Sequence, residues 1–231
     1  MATPGRPRSF DKEKALDAAL RVFWRKGYEG ASLADLTSAM GIEKPSMYAA
    51  FGDKEQLFRE VLDHYQKGPA NLAVAALEEP TARKVVERLL RVSADAGADP
   101  HMPRGCLYVQ GALACGSESD CIRAELISRR AAGEALLRKR LQRARKEGDL
   151  PKKSDPAGLA RYIMAVLHGM SVRSSAGASR KELRGIAETA LRGLQSELSG
   201  RTSGASLPHA GTRRRSELVQ GARPLRVVRK Q

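Results

Sequence analysis

Aromatic side chains make up only 4% of this 231-residue chain, and cysteine is scarcer still, limited to Cys106, Cys115 and Cys121. Three cysteines are an odd number with no dense framework, which excludes a disulfide-stapled scaffold and fits a reducing compartment. No run of about 18 apolar residues occurs, so no membrane-spanning helix is expected. The opening M-A-T-P-G-R-P-R lacks the apolar segment of a secretory signal. The expectation is a cytoplasmic protein with no membrane partner. His64, His101, His168 and His209 stand at no metal-ligand spacing with a cysteine, and no metal site is expected. Paired carboxylates, a nucleophile with its base, and a phosphate loop are likewise missing at mechanistic spacing. That argues against an enzyme and against a cofactor.

What is present favours helices. The apolar fraction of 42% suffices for a globular core, and Ala, Leu, Arg, Glu and Lys are abundant, so an all-α protein is expected. A net charge of +15 suggests an anionic partner, yet its placement matters more than its total. Residues 1–65 carry 10 Lys or Arg against 10 Asp or Glu, 66–198 carry 23 against 15, and 199–231 carry 8 against 1. Bulk charge therefore cannot be an argument that the first third of the chain binds a nucleic acid specifically, and the placement of a few cations must be.

Residues 41–54, G-I-E-K-P-S-M-Y-A-A-F-G-D-K, organise that first third. Gly41 can adopt the positive φ of a sharp inter-helix turn, and Pro45 suits the first turn of a helix, where no amide donor is missed. A short helix to about Phe51 follows. Met47 and Phe51, four apart, face inward and leave Lys44, Ser46, Tyr48 and Ala50 for an outer face suited to a DNA groove. Upstream, Asp11 offers an N-cap to a helix whose stripe is Leu16, Ala19, Leu20 and Phe23 and whose end is marked by Lys26 and Gly27. The next helix opens at Ser32 with Asp35 in capping-box position and turns Leu33, Leu36 and Met40 inward. Downstream, Gly52 breaks the run. Asp53, with Gln56 in the reciprocal position, caps a fourth helix carrying Leu57, Phe58, Val61, Leu62 and Tyr65. Lys54 thus stands where free amides and the helix dipole already favour a phosphate. Residues 1–9 read as a flexible basic arm, in which Arg6 and Arg8 either reach a phosphate or minor groove or stay solvated.

The segment F-W-R-K-G-Y-E-G-A-S-L-A-D-L, followed by G-I-E-K-P-S-M-Y-A-A-F-G-D-K-E-Q-L-F, is similar to the DNA-binding domain of the TetR family of bacterial repressors. The match lies in the spacing of Gly27, Tyr28, Ser32, Leu36, Gly41, Tyr48, Phe51 and Lys54. The resemblance implies an N-terminal three-helix helix-turn-helix domain over 10–65 and a C-terminal helical effector-binding and dimerisation domain over 66–198. It implies that Tyr48 and Lys54 clamp phosphates while Lys44, Pro45, Ser46 and Ala49 approach base edges. Side-chain chemistry agrees, since Lys donates to guanine, Ser to several bases, and Ala or Pro can touch a thymine methyl. Two positions depart from the pattern. Ala31 replaces a common Thr, at the expense of a phosphate contact, and Glu43 stands where Asn or Ser usually caps the recognition helix.

Beyond residue 68, breaks at glycine, proline and serine delimit helices near 82–96, 106–115, 119–147, 156–173 and 181–198. Leu159, Ile163, Val166, Leu167 and Met170 stripe one of the last two helices. Leu183, Ile186, Ala190, Leu191, Leu194 and Leu198 stripe the other. These faces are either a monomer core or, as the resemblance implies, a homodimer interface. Cys106 follows Pro103, Arg104 and Gly105 at the head of a helix. It is either a possible sensor, activated by the neighbouring cation and helix end, or a small core residue. Cys115 and Cys121 flank a turn and are close enough in sequence to pair if oxidised. Tyr65, Tyr108 and Tyr162 are the aromatic candidates for an effector pocket or are plain core. The basic run 138–146 reads as a solvated face or a second DNA contact, and the tail 199–231, densest at 213–215, as disordered and able to add salt-sensitive affinity.

These features predict a sequence-specific transcriptional regulator, a repressor that leaves a palindromic double-stranded operator when an unidentified small molecule, oxidant or electrophile acts on it. The alternative is a nonspecific nucleic-acid-binding or DNA-compacting protein driven by its basic tail.

Overall fold

The computed structural model describes residues 10–113 and 119–198. The arm with Arg6 and Arg8, Cys115 with its turn, and the tail with His209 and the 213–215 cluster lie outside the described residues. Among the described residues every regular element is helical.

The first helix, α1 (Lys12–Gly30), starts where Asp11 accepts from the amides of Glu13 and Lys14 at 3.0 and 3.2 Å. Its expected end at Gly27 is a break: Gly27 takes φ 72°, ψ 176°, and the chain winds one further turn to Gly30. Ala31 beyond it is fully buried. Its methyl is closed off from solvent and packs in the first core. α2 (Leu33–Met40) carries the full capping box between Ser32 and Asp35. It buries Leu36, Thr37 and Met40, whereas Leu33 is only half-buried. α3 (Lys44–Phe51) and α4 (Lys54–Lys67) follow, the second capped by Asp53, which accepts from the Gln56 amide at 2.8 Å.

A core of Phe23, Leu36, Met47, Phe51, Phe58 and their neighbours joins these four helices, with Phe23 and Phe58 edge-to-face at 4.8 Å. It also takes in Leu107, Ile122 and Leu126. These residues come from α7 (Leu107–Leu113) and the start of α8 (Asp120–Lys146), so the buried apolar surface continues past Tyr65 into the later helices.

The second core joins α6 (Ala82–Gly97), the later half of α8, α9 (Pro156–Ser175) and α10 (Arg180–Gly193). Leu194 interrupts the last expected helix before α11 (Gln195–Leu198). The short α5 (Asn71–Ala75) and the 3-10 turn Ala76–Glu78 had no sequence signal. Arg140, in the basic run of α8, is only 5% exposed: it donates Nε to the Leu77 carbonyl at 3.0 Å and Nη2 to that of Glu79 at 2.7 Å. The run is therefore not a uniformly solvated face. One of its cations is a buried tether of the segment before α6.

No helix of the described residues is long and apolar enough to cross a membrane, and no group of three or more His, Cys, Asp or Glu among them is placed to hold a metal ion.

Candidate nucleic-acid interface

The turn into α3 is built by backbone geometry. Gly41 takes φ 65°, ψ 31°, donating to the Ser38 carbonyl, and Ile42 N–H donates to the Thr37 carbonyl at 3.1 Å. Any side chain at this left-handed position is strained, although a Cβ there would meet nothing within 4 Å. Glu43 is the N-cap of α3 in an extended conformation and makes no side-chain capping bond, while Pro45 occupies the first turn.

Met47 and Phe51 are buried as expected. Ala50, expected on the outer face, instead packs half-buried against the first core. The reason is helical phase: positions 47, 50 and 51 fall on one side, and 45, 48 and 49 on the other, while Lys44 is exposed as the first residue of the helix. Lys44, Pro45, Tyr48 and Ala49 are exposed and Ser46 is half-buried. Tyr48 is 48% exposed, a large amount for an aromatic ring in a well-packed helix.

Gly52 ends α3 at φ 74°, ψ −134°, its amide donating to the Tyr48 carbonyl at 2.9 Å. The Gln56 side chain folds beneath it, so close that a Cβ at Gly52 would lie 1.6 Å from Gln56 Oε1. Tyr48 and Lys54 therefore flank one tight turn. The Lys54 ammonium lies over the face of Tyr28, 4.6 Å from the ring centroid. Partial burial lowers its pKa, against the pull of the Glu29 carboxylate.

The frame around α3 is held by charge as well as packing. Asp35 accepts from Ser32 N–H at 3.1 Å and from Ser32 Oγ at 2.7 Å, and pairs with Lys26 at 2.7 Å. These contacts, Lys26 foremost, hold its carboxyl down to about 2. Along α4, Arg129 of α8 bonds Asp63 at 2.7 Å and Glu125 at 2.8 Å, while Arg59 joins Glu55 at 2.7 Å and Glu125 at 2.9 Å. α4 is thus tied to α8 by a ladder of ion pairs.

Residues 15–61 match the family model of bacterial regulatory proteins, tetR family, and residues 80–190 match that of the tetracyclin repressor-like C-terminal domain. The HTH-type transcriptional repressor ComR of Escherichia coli (strain K12) is 36% identical over 190 residues, 81% of this chain and 90% of that protein. The chain belongs to the TetR family. A solved structure of another TetR-family member, a cysteine mutant of the regulator CifR complexed with 26-base-pair operator DNA, is 44% identical and superposes with a TM-score of 0.79, covering 81% of this chain and 98% of that one. A TetR-family regulator from Rhodococcus sp. RHA1 is 38% identical over 77% of this chain and 96% of its own, with a TM-score of 0.53.

In this TetR-family chain Cys106 directly precedes α7, and its carbonyl accepts from the amides of Val109 and Gln110 at 3.1 and 3.0 Å. Its half-buried thiol receives the Tyr65 hydroxyl at 3.5 Å. The cation expected beside the thiol is engaged elsewhere: Arg104 donates to the Ala178 carbonyl at 3.0 Å. Tyr65 is buried, edge-to-face with Trp24 at 4.8 Å and with Tyr108 at 5.0 Å, and burial raises its hydroxyl pKa well above the ordinary value. Burial likewise lifts Tyr108 to about 12. Tyr162 is 47% exposed on α9, so the three tyrosines do not line one pocket. Cys121 is exposed and its thiol reaches Glu55 Oε2 at 3.5 Å.

The stripes of α9 and α10 divide between two environments. Leu159, Ile163, Met170, Leu183 and Ala190 are buried in the second core. Tyr162, Val166, Arg173, Glu182, Ile186 and Thr189 line an open groove together with Ala190, and Val166 and Ile186 also pack against that core, so the two environments share residues. Sequence reasoning missed Tyr28 as a neighbour of Lys54 and Arg129 as a hub. Both pairings span many residues, and no local signal marks them.

Proposed function

We propose that the chain represses transcription by binding a palindromic operator as a homodimer. Residues 10–65 serve as the DNA-reading domain and 66–198 as the effector-binding and dimerisation domain. The observation that carries this reading is the outer face of α3, where Lys44, Pro45, Tyr48 and Ala49 stand exposed on a seat of buried Met47 and Phe51. Operator DNA bound by the CifR mutant, 44% identical to this chain, supports it.

In this reading Tyr48 and Lys54 hold backbone phosphates and set register. Lys44, Pro45, Ser46 and Ala49 meet base edges, Lys44 as a donor to guanine and Pro45 and Ala49 as apolar contacts to thymine methyls. The outward residues of α9 and α10 meet their counterparts across a two-fold axis, which sets two α3 helices in successive major grooves about 34 Å apart. An effector that binds the second domain, or an oxidant or electrophile that modifies Cys106, favours a dimer whose α3 helices no longer match that spacing.

The test is competition on DNA from the region upstream of the chain's own gene. Unlabelled upstream DNA should displace the protein at far lower excess than random DNA of equal length. Equal displacement by both would leave a nonspecific binder driven by the basic tail.

A further inference from the structure

Tyr28 is fixed from beneath. Its ring stacks on Phe23 at 6.2 Å with an interplanar angle of 10° and leans on Phe58 at 5.1 Å. Phe23 and Phe58 are themselves fully buried. The ring therefore cannot turn away without disturbing the core, and the Lys54 ammonium sits over its face, 4.6 Å from the centroid.

We propose that Tyr28 is a positioning residue for DNA binding, seating the Lys54 ammonium at the α3–α4 turn so that it meets a backbone phosphate without first being ordered. The proposal rests on the assignment of α3 and the start of α4 as the DNA-reading surface. A lysine that hangs free loses rotamer freedom when a phosphate captures it, whereas a seated one has given up that freedom on folding. An aromatic face attracts the cation without cancelling its charge, and removes part of the hydration that a phosphate would otherwise have to displace. Lys12 is an internal contrast. It also lies over a ring, that of Phe51 at 5.1 Å, but its ammonium is ion-paired with Glu60 at 2.7 Å, whereas Glu29 acts on the Lys54 ammonium through its charge and burial works against that pull.

The experiment is a double-mutant cycle on the duplex that the unaltered protein selects from a random-sequence pool, at one salt concentration. Tyr28→Leu keeps an apolar group over Phe23 and Phe58 but removes the ring. It should weaken binding about three- to tenfold per half-site. Tyr28→Phe, which keeps the ring, should stay within about twofold of the unaltered protein. In a Lys54→Ala background Tyr28→Leu should have almost no further effect. A loss as large there as in the unaltered protein would overturn the proposal, because Tyr28 would then act through packing alone.

Should Tyr28→Leu fail to fold, the DNA-free protein still decides the matter. After reductive methylation with a carbon-13 label, the Lys54 methyl signals, assigned through Lys54→Arg, should be shifted upfield of those of Lys44 by the ring current. Coincident signals would mean that no seat exists. A pool that yields no preferred duplex would instead sink the DNA-reading assignment itself, which separates the two failures.

Discussion

Replacing Ser174 by alanine measures how firmly the connection from α6 to α7 is tied to α9. Ser174 is 1% exposed, and its Oγ donates to the Gly97 carbonyl at 2.5 Å while accepting from the Gly105 amide at 3.0 Å. The site is crowded: a Cβ at Gly97 would lie 3.1 Å from Ser174 Oγ and 3.2 Å from Leu183 Cδ1. Alanine leaves one backbone donor and one backbone acceptor without their partner, in a space vacated by a single oxygen and too small for a water. Each stranded buried group costs about 1–3 kcal/mol, and with Gly105 only half-buried the pair should destabilise the chain by roughly 2–4 kcal/mol. At this chain length that lowers the melting temperature by roughly 5–15 °C.

The measurement is thermal and urea unfolding followed by far-UV circular dichroism, at one protein concentration because a dimer's stability depends on it. Ser175→Ala is the control. Ser175 is exposed and bonds only the Val172 carbonyl within its own helix, so its loss should stay within about 0.5 kcal/mol. A Ser174→Ala shift no larger than the control would refute the reasoning, since Gly97 and Gly105 would then have other partners. The result bears on the proposed function because the same connection is gripped from α1, where Arg21 donates to the His101 carbonyl at 2.8 Å.

Three further outcomes are expected. Tyr48→Phe and Lys54→Ala should weaken binding to all duplexes alike, whereas Lys44→Ala should also relax base preference by about 1–3 kcal/mol at one position; equal losses on selected and random DNA for all three would remove Lys44 from the base-reading set. If Cys106 senses oxidant or electrophile, Cys106→Ser should bind the selected duplex normally and ignore the reagent in a gel-shift titration, and an unchanged response would return Cys106 to the core. Burial, with Arg130 reinforcing and Glu134 opposing, holds the His168 pKa below its ordinary value. The unfolded chain therefore takes up this proton first, so the stability His168 contributes is complete above about pH 6.5 and is lost as pH falls through the lower folded value. His168→Gln should accordingly lose less stability between pH 7 and pH 5 than the unaltered protein, and parallel losses would contradict the assignment.

The readable features were those whose cause lies within a few residues of their effect. Asp11, Ser32 and Asp53 each cap an amide two or three positions on, so the starts of α1, α2 and α4 stand where the sequence places them. Gly41 announces a turn that only a positive φ can make. A period also shows which face is apolar, but over the eight residues of α3 it does not locate that face's edge. Met47 and Phe51 alone fit a seam that leaves Ala50 outside, and only its packing on the first core assigns it inward. Arg140 and Arg104 were misplaced for a different reason. Each looks like one cation in a basic or polar stretch, yet each ends on a backbone carbonyl more than 60 residues away, or at the α9–α10 turn, where no charge pattern could signal it.

The same distinction bears on how a charge-neutral half can recognise DNA. With 10 cations balanced by 10 anions over residues 1–65, affinity there cannot come from a diffuse positive field. Pairing removes several of those cations from competition: Lys12 goes to Glu60, Lys26 to Asp35, and Arg59 to Glu55 and Glu125. The pairs with Glu60, Asp35 and Glu125 each fix one helix on another, Arg59–Glu55 lies within α4, and these positive charges are largely balanced within the protein. Lys44 and Lys54 are held differently, one exposed on the outer face of α3, the other resting on an aromatic ring within the influence of the Glu29 carboxylate. The balance of charge over this half is thus compatible with DNA recognition in the proposed reading, where the paired cations build the frame and Lys44 and Lys54 meet bases and phosphates.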